Sequence, residues 1–201
     1  MRKTAELRKE EIVFTVLKLA DAIGPDRVTT SSIAAEIGIT QAALFRHFST
    51  KAELWLAVAE QVSRSLSDAW AEALVTEDKP LKRTRALVGA QLQQIVRTPA
   101  MPMLLFSREL NVDNAGLRDA FRRRLLEFQT LLVGEVRKAV VSGHIRQDIV
   151  PTDAAVLFTS LIQGMAIRWS LGARDFDLVY EGLHLFDVQL RLMATQEKGG
   201  S

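Results

Sequence analysis

The sequence predicts an all-α protein of about nine helices, with a small three-helix domain at the N-terminus and a larger helical body after it. Three observations predict this. Apolar residues recur at spacings of three and four along most of the 201 residues. No segment of any length alternates with period two, as a half-buried strand would. The breaks fall at Gly24-Pro25, Pro80, Pro99 to Pro102, Gly143 and Pro151. Glycine suits the left-handed end of a helix there, and proline cannot continue one.

The first helix is expected over 4–23. Ile12, Val16, Leu19 and Ile23, with Val13, Leu17 and Ala20, form one apolar stripe along it. Thr29 is a good N-cap for a second helix over 30–37, which buries Ile33, Ala34 and Ile37. Gly38 makes a tight turn, and Thr40 caps a third helix over 41–47 whose inward residues are Leu44 and Phe48, four apart. The fourth helix, 51–75, carries Leu54, Val58, Val62, Leu66 and Ala69 on one face. A fifth follows over 81–97, a short sixth over 103–110, a turn over 111–114, and a long seventh over 115–142 that Gly143 stops. The eighth spans 151–171. The ninth opens at Asp175 or Asp177 and ends near 195, leaving 196–201 as a tail. The domain division expected from this is 1–50, then 51–195.

Composition excludes several classes. With 48% hydrophobic and 25% charged residues the chain can bury a sizeable core and is not a disordered polymer. It has no cysteine, which excludes disulfide frameworks and thiolate metal sites and fits a reducing cytoplasm. The N-terminal stretch is charged rather than signal-like, and no run of about 18 apolar residues is uninterrupted, so no membrane partner is expected. No glycine-rich phosphate loop, no G-x-S-x-G and no metal-spaced histidine pair occurs. His47, His144 and His184 lie far apart. Neither an enzyme nor a cofactor is expected. The net charge of +2 sits entirely in residues 1–51, with eight Lys/Arg against six Asp/Glu; the remainder balances at eighteen each. This placement is compatible with a nucleic-acid-facing N-terminus.

Residues 28–48 carry the functional signal. Helices this short are marginal alone, so the second and third must be held by their neighbours, leaving one face of the third free. Gln41, Ala42, Phe45 and Arg46 then point outward. Thr30 and Thr40 place hydroxyls and unsatisfied N–H groups at helix N-termini, where phosphates bind. Gln41 can pair bidentately with adenine, and small Ala42 and Ala43 permit close approach to a thymine methyl. Arg46, His47 and Lys51 flank the helix with donors. Each residue alone reads equally as a cap or a solvated side chain. Together they describe a helix-turn-helix reader of the DNA major groove.

Over 29–54 the pattern T-T-x-x-I-A, then G-I-T-x-A-A-L-F-x-H-F-x-x-K-x-x-L, resembles the TetR/AcrR family of transcriptional regulators. The likeness covers about the first 60 residues, and the nine-helix pattern is similar to the family as a whole. It implies a homeodomain-like N-terminal reader of double-stranded palindromic operator DNA. It also implies a C-terminal domain that dimerises and binds a small effector that releases the DNA. Carried over by position, Thr30, Thr40 and Lys51 touch phosphates; Ser31, Gln41 and Ala42 face bases; Arg46 and His47 lie along the backbone. Where the family usually has tyrosine this chain has Phe45, which can pack on sugar or a thymine methyl but donates no hydrogen bond to phosphate. Ala42 replaces a more usual glycine.

The eighth helix is apolar nearly all round, and Ser160 and Gly164 form a small-residue groove on it. Together with the ninth it reads as a four-helix homodimer interface involving Val156, Leu157, Ser160, Leu161, Gly164, Arg168, Leu183, Phe186 and Leu190. The alternative is that both helices are core of a monomer. The resemblance places the effector pocket among the fourth to eighth helices. Trp70, Met101, Met103, Phe106, Phe128, Leu132, Met165 and Trp169 are candidate lining residues for an apolar or amphipathic ligand. Arg122 to Arg124 could receive an acidic group or form a solvated face. A helical ligand-binding protein without DNA binding, and an activator in place of a repressor, remain open.

Overall fold

The computed structural model describes residues 4–195, except for the side chains of Arg108 and Glu109. The expected tail over 196–201 lies outside the described residues. Among these residues the protein is helical throughout, its only β-type pairing being an isolated bridge between Ile145 and Ala194. There are ten α-helices: α1 (Ala5–Ile23), α2 (Thr30–Ile37), α3 (Gln41–Phe45), α4 (Lys51–Val75), α5 (Pro80–Arg97), α6 (Met101–Phe106), α7 (Arg108–Asp113), α8 (Ala115–Val141), α9 (Pro151–Leu171) and α10 (Leu178–Met193). They fall into two compact units, Met1–Ser65 with Thr98–Arg124, and Leu66–Arg97 with Leu125–Ser201.

In the first unit each short element is closed by its own chemistry. Thr4 caps α1 through the Leu7 N–H, and Gly24, at φ 86°, ends it by donating to the Ala20 carbonyl. Pro25–Arg27 forms one 3₁₀ turn. The buried residues Ile12, Val16 and Ala20 of α1 form a core with Ile33, Ala34, Leu44, Phe48, Leu54 and Val58. Ile23, expected on the same stripe, is 41% exposed.

The structure departs from several expectations in this unit. The third helix ends at Phe45 rather than 47, because the Leu44 carbonyl takes the N–H groups of both His47 and Phe48, tightening the last turn. The expected single helix over 103–110 is two, and the expected turn over 111–114 is mostly helix. Ser107 leaves helical geometry at ψ 107°, and its hydroxyl accepts from the Leu110 N–H, so it caps α7. The Asn111 amide then satisfies the Leu104 and Ser107 carbonyls at 3.0 and 2.7 Å. Pro102 sits in the first turn of α6 rather than breaking the chain before it, since that turn needs no donor from proline. Ser107 also donates to Asp26 in the 3₁₀ turn at 2.6 Å.

In the second unit α5, α9 and α10 pack on one another and bury Leu87, Leu92, Phe158, Ile162 and Phe186, while α8 buries Leu132 and Val136. The α5–α10 contact is close because it contains two glycines: Leu183 lies against Gly89, and Leu92 against Gly182. Arg85 and Asp187 bridge the same pair of helices at 3.0 Å. The end of α10 is tied to the loop after α8. Arg146 donates from its backbone to the Met193 carbonyl and from its guanidinium to that of Leu192.

Candidate nucleic-acid interface

The reader begins with a capping box. Thr29 Oγ1 accepts from the Ser32 N–H while Ser32 Oγ accepts from the Thr29 N–H, both at 3.0 Å. Ser32 was not legible as part of the cap, because the expected partner at that position is Glu or Gln. Gly38, at φ 69° and ψ 36°, closes α2: its N–H reaches the Ala35 carbonyl and the Ile39 N–H reaches that of Ala34. This paired arrangement requires a left-handed residue. Thr40 Oγ1 then accepts from the Ala43 N–H at 3.1 Å and starts α3. Leu44 is the one buried residue of α3.

Of the other α3 side chains only Ala43 is half-buried. Gln41, Ala42, Phe45 and Arg46 are exposed, as are Ser31, Thr40 and Lys51; Thr30 and His47 are half-buried. Phe45 is 41% exposed, so its ring is available to a partner. The Gln41 amide nitrogen donates to Thr30 Oγ1 at 2.6 Å, linking the start of α3 to the start of α2. Eleven residues separate the two, and no local pattern announces the contact. Behind the reader, Lys18 of α1 pairs with Glu36 of α2 at 2.7 Å, and the Lys9 ammonium lies 6.0 Å from the Phe48 ring centroid. Where α4 begins, the Ser49 hydroxyl and backbone N–H both donate to Glu53 Oε2, at 2.6 and 2.8 Å. Those two bonds, the hydroxyl first, hold the Glu53 carboxyl below its ordinary pKa.

The residues expected to line an effector pocket divide between the two units. Met101, Met103 and Phe106 belong to the first. Met101 is buried and Met103 half-buried, but Phe106 is 48% exposed, against the expectation that it is enclosed. Trp70, Phe128, Leu132, Met165 and Trp169 belong to the second and all are buried. Trp70 and Phe128 stack with ring centroids 5.0 Å apart, and the Trp70 indole donates to the Gln91 side-chain oxygen at 3.0 Å. Glu135, two turns beyond Phe128, was not singled out from the sequence. It is 5% exposed; one carboxyl oxygen pairs with Lys138 at 2.6 Å and the other, Oε2, has no hydrogen-bond partner.

Helix α9 has two apolar faces. One buries Ala155, Phe158, Ile162, Met165 and Trp169. The other exposes Val156, Leu157, Ser160, Gly164, Ile167 and Arg168. Its composition and length would also suit a membrane span, but the buried face belongs to the core of its unit. Leu161, Leu183 and Leu190 are half-buried. Phe186 is corrected: it is 0% exposed within one chain and meets Phe158 edge-on at 4.8 Å, so it cannot touch a second copy.

Residues 16–58 match the family model described as bacterial regulatory proteins, tetR family. Over 193 residues the chain is 29% identical to the nucleoid occlusion factor SlmA of Vibrio campbellii, covering 95% of this chain and 96% of that protein. Among solved structures it resembles the ketosteroid transcriptional regulator KstR2 of Mycobacterium tuberculosis, with TM-score 0.79 and 16% identity over 94% and 96% of the two chains. It also resembles a Saccharomonospora viridis protein solved in complex with choline, with TM-score 0.82 and 21% identity over 95% and 100%. These structural likenesses establish the fold. The reader assembled on α2 and α3 lies within residues 16–58, so this segment is a tetR-family regulatory domain, and the chain as a whole shares the fold of solved TetR-type regulators.

Proposed function

We propose that this protein is a cytoplasmic homodimeric transcriptional repressor that reads an inverted-repeat operator and is released by a small amphipathic effector. The observation that carries the dimer, and with it the operator symmetry, is the exposed apolar face of α9. Val156, Leu157 and Ile167 stand in solvent along one side of a helix whose other side is already buried. A contiguous face of this kind marks an interface. A two-fold pairing of it presents two readers, which fit major grooves about 34–36 Å apart and therefore half-sites one helical turn apart. Residues 1–50 act as the reader and 51–195 as the dimerisation and effector domain. In the reader, Ser31, Gln41 and Ala42 face bases, Phe45 packs on sugar or a thymine methyl, and Thr30, Thr40, Arg46, His47 and Lys51 contact the backbone.

The effector site is built on the Trp70–Phe128 pair with Leu132, Met165 and Trp169. The unpartnered buried oxygen of Glu135 supports a ligand with a donor or cationic end beside an apolar body. To move a population from 1:99 to 99:1 such a ligand must favour the released state by about 5.5 kcal/mol.

Binding-site selection from random duplex DNA tests the reading. The expected outcome is an inverted repeat that Gln41→Ala erases and that Leu157→Glu, a monomer by light scattering, reduces to a weak half-site. No enrichment at low salt, or an inverted repeat bound by monomeric Leu157→Glu as tightly as by the parent, refutes it. The likeness to the Vibrio nucleoid occlusion factors over nearly the whole chain supports a second reading, DNA binding in chromosome organisation rather than at promoters. Genome-wide mapping separates the two by whether bound sites lie at promoters or are dispersed.

A further inference from the structure

We propose that Thr30 is a positioning residue that makes Gln41 selective for adenine over guanine, by coupling a phosphate contact to the orientation of the Gln41 amide. The inference rests on the reading of α3 as the base-reading helix. Its basis is the 2.6 Å hydrogen bond from Gln41 Nε2 to Thr30 Oγ1, made between the half-buried first residue of α2 and the exposed first residue of α3.

A threonine hydroxyl has one proton and two lone pairs, and a glutamine amide has two N–H donors and one carbonyl acceptor. While the Thr30 proton is free, the hydroxyl can meet either end of the amide, and Gln41 can flip. When Thr30 donates that proton to a DNA phosphate, only lone pairs remain for Gln41. The amide must then turn its nitrogen to Thr30, as it does here. What is left for the base is one N–H and the carbonyl oxygen, a donor beside an acceptor. That pair complements adenine, whose N7 accepts and whose N6 donates. Guanine offers two acceptors, N7 and O6, and leaves the Gln41 carbonyl oxygen facing another oxygen. A freed amide can instead turn both N–H groups outward and satisfy guanine. The phosphate contact thus sets which base the glutamine accepts.

Thr30 can be changed without disturbing the fold of the reader. The cap of α2 is made by Thr29 and Ser32, and Thr30 occupies the first helical position. Valine preserves its shape and removes the hydroxyl, whereas serine keeps the hydroxyl.

The experiment is competition binding of the full-length protein on operator duplexes varied at the base pair whose preference Gln41→Ala abolishes, at two salt concentrations. The parent should prefer adenine to guanine there by about tenfold or more, since a bidentate pair discriminates on that scale. Thr30→Val should lower that preference to about threefold or less, and Thr30→Ser should retain it. If Thr30→Val weakens every duplex by one factor with a shallower salt dependence and unchanged preference, Thr30 is a phosphate contact alone and the proposal is overturned. If Gln41→Ala leaves every base preference intact, the assignment of Gln41 as a base reader fails instead. Thr30→Ala, read in the same way, carries the test should the valine variant fold poorly by circular dichroism.

Discussion

Replacing Gly38 by alanine isolates the conformational cost of the turn in the reader. A Cβ built at this position meets no atom within 4 Å, so no clash contributes. The backbone is left-handed, at φ 69°. An L-residue there costs about 1–2 kcal/mol relative to glycine. The reduced freedom of the unfolded chain returns about 0.4–1 kcal/mol. The net expectation is a loss of about 1 kcal/mol, equivalent to a fall of about 2–4 °C in Tm for a chain of this size. Asparagine, which tolerates the left-handed region, should lose less than alanine, and valine more. Urea denaturation followed by circular dichroism reads the stability of each variant. Operator affinity, measured by fluorescence anisotropy, should fall by no more than about fivefold, the same free energy expressed as an equilibrium constant. A loss above about 3 kcal/mol for alanine, or asparagine more damaging than valine, would refute the reasoning, because the turn would then depend on space and not on φ.

Two further outcomes follow from other contacts. A Cβ at Gly182 would stand 2.6 Å from one Leu92 methyl and 3.1 Å from the other, and Leu92 is fully buried, so Gly182→Ala should cost about 1–3 kcal/mol by overpacking. Adding Leu92→Val should recover part of that loss, and strict additivity of the two urea-derived values would argue against the contact. Glu53, its pKa held down by Ser49, stabilises the start of α4 while ionised. That contribution is full above the ordinary carboxylate range and is lost as the pH falls through the lowered native pKa. The parent should therefore lose stability on acidification more steeply than Glu53→Gln, and parallel pH profiles of the urea midpoint would contradict this.

Much of the reader was legible in the sequence, because its determinants are local. Thr29, Gly38 and Thr40 act on groups three to five residues away, and the apolar residues of α1 to α4 repeat at helical spacing. The excess of apolar surface on α9 was also legible, since its apolar residues run nearly all round the helix; that one face stays exposed within the chain was not. Where interactions span long stretches of chain, the sequence was silent. It showed neither that Ser107 would leave the helix, cap α7 and reach Asp26 eighty-one residues away, nor that Gln41 would donate to Thr30. Phe186 shows the same limit. Its apolar character and spacing suggested a dimer-interface position on α10, but only packing against Phe158 decided that it belongs to the core of its own chain. Composition and spacing thus determined an all-α chain with a capped helix-turn-helix and, later in the sequence, an over-apolar helix. Tertiary structure decided which polar groups found partners, which, like Glu135 Oε2, did not, and which apolar faces remained in water, because those outcomes depend on contacts between residues distant in sequence.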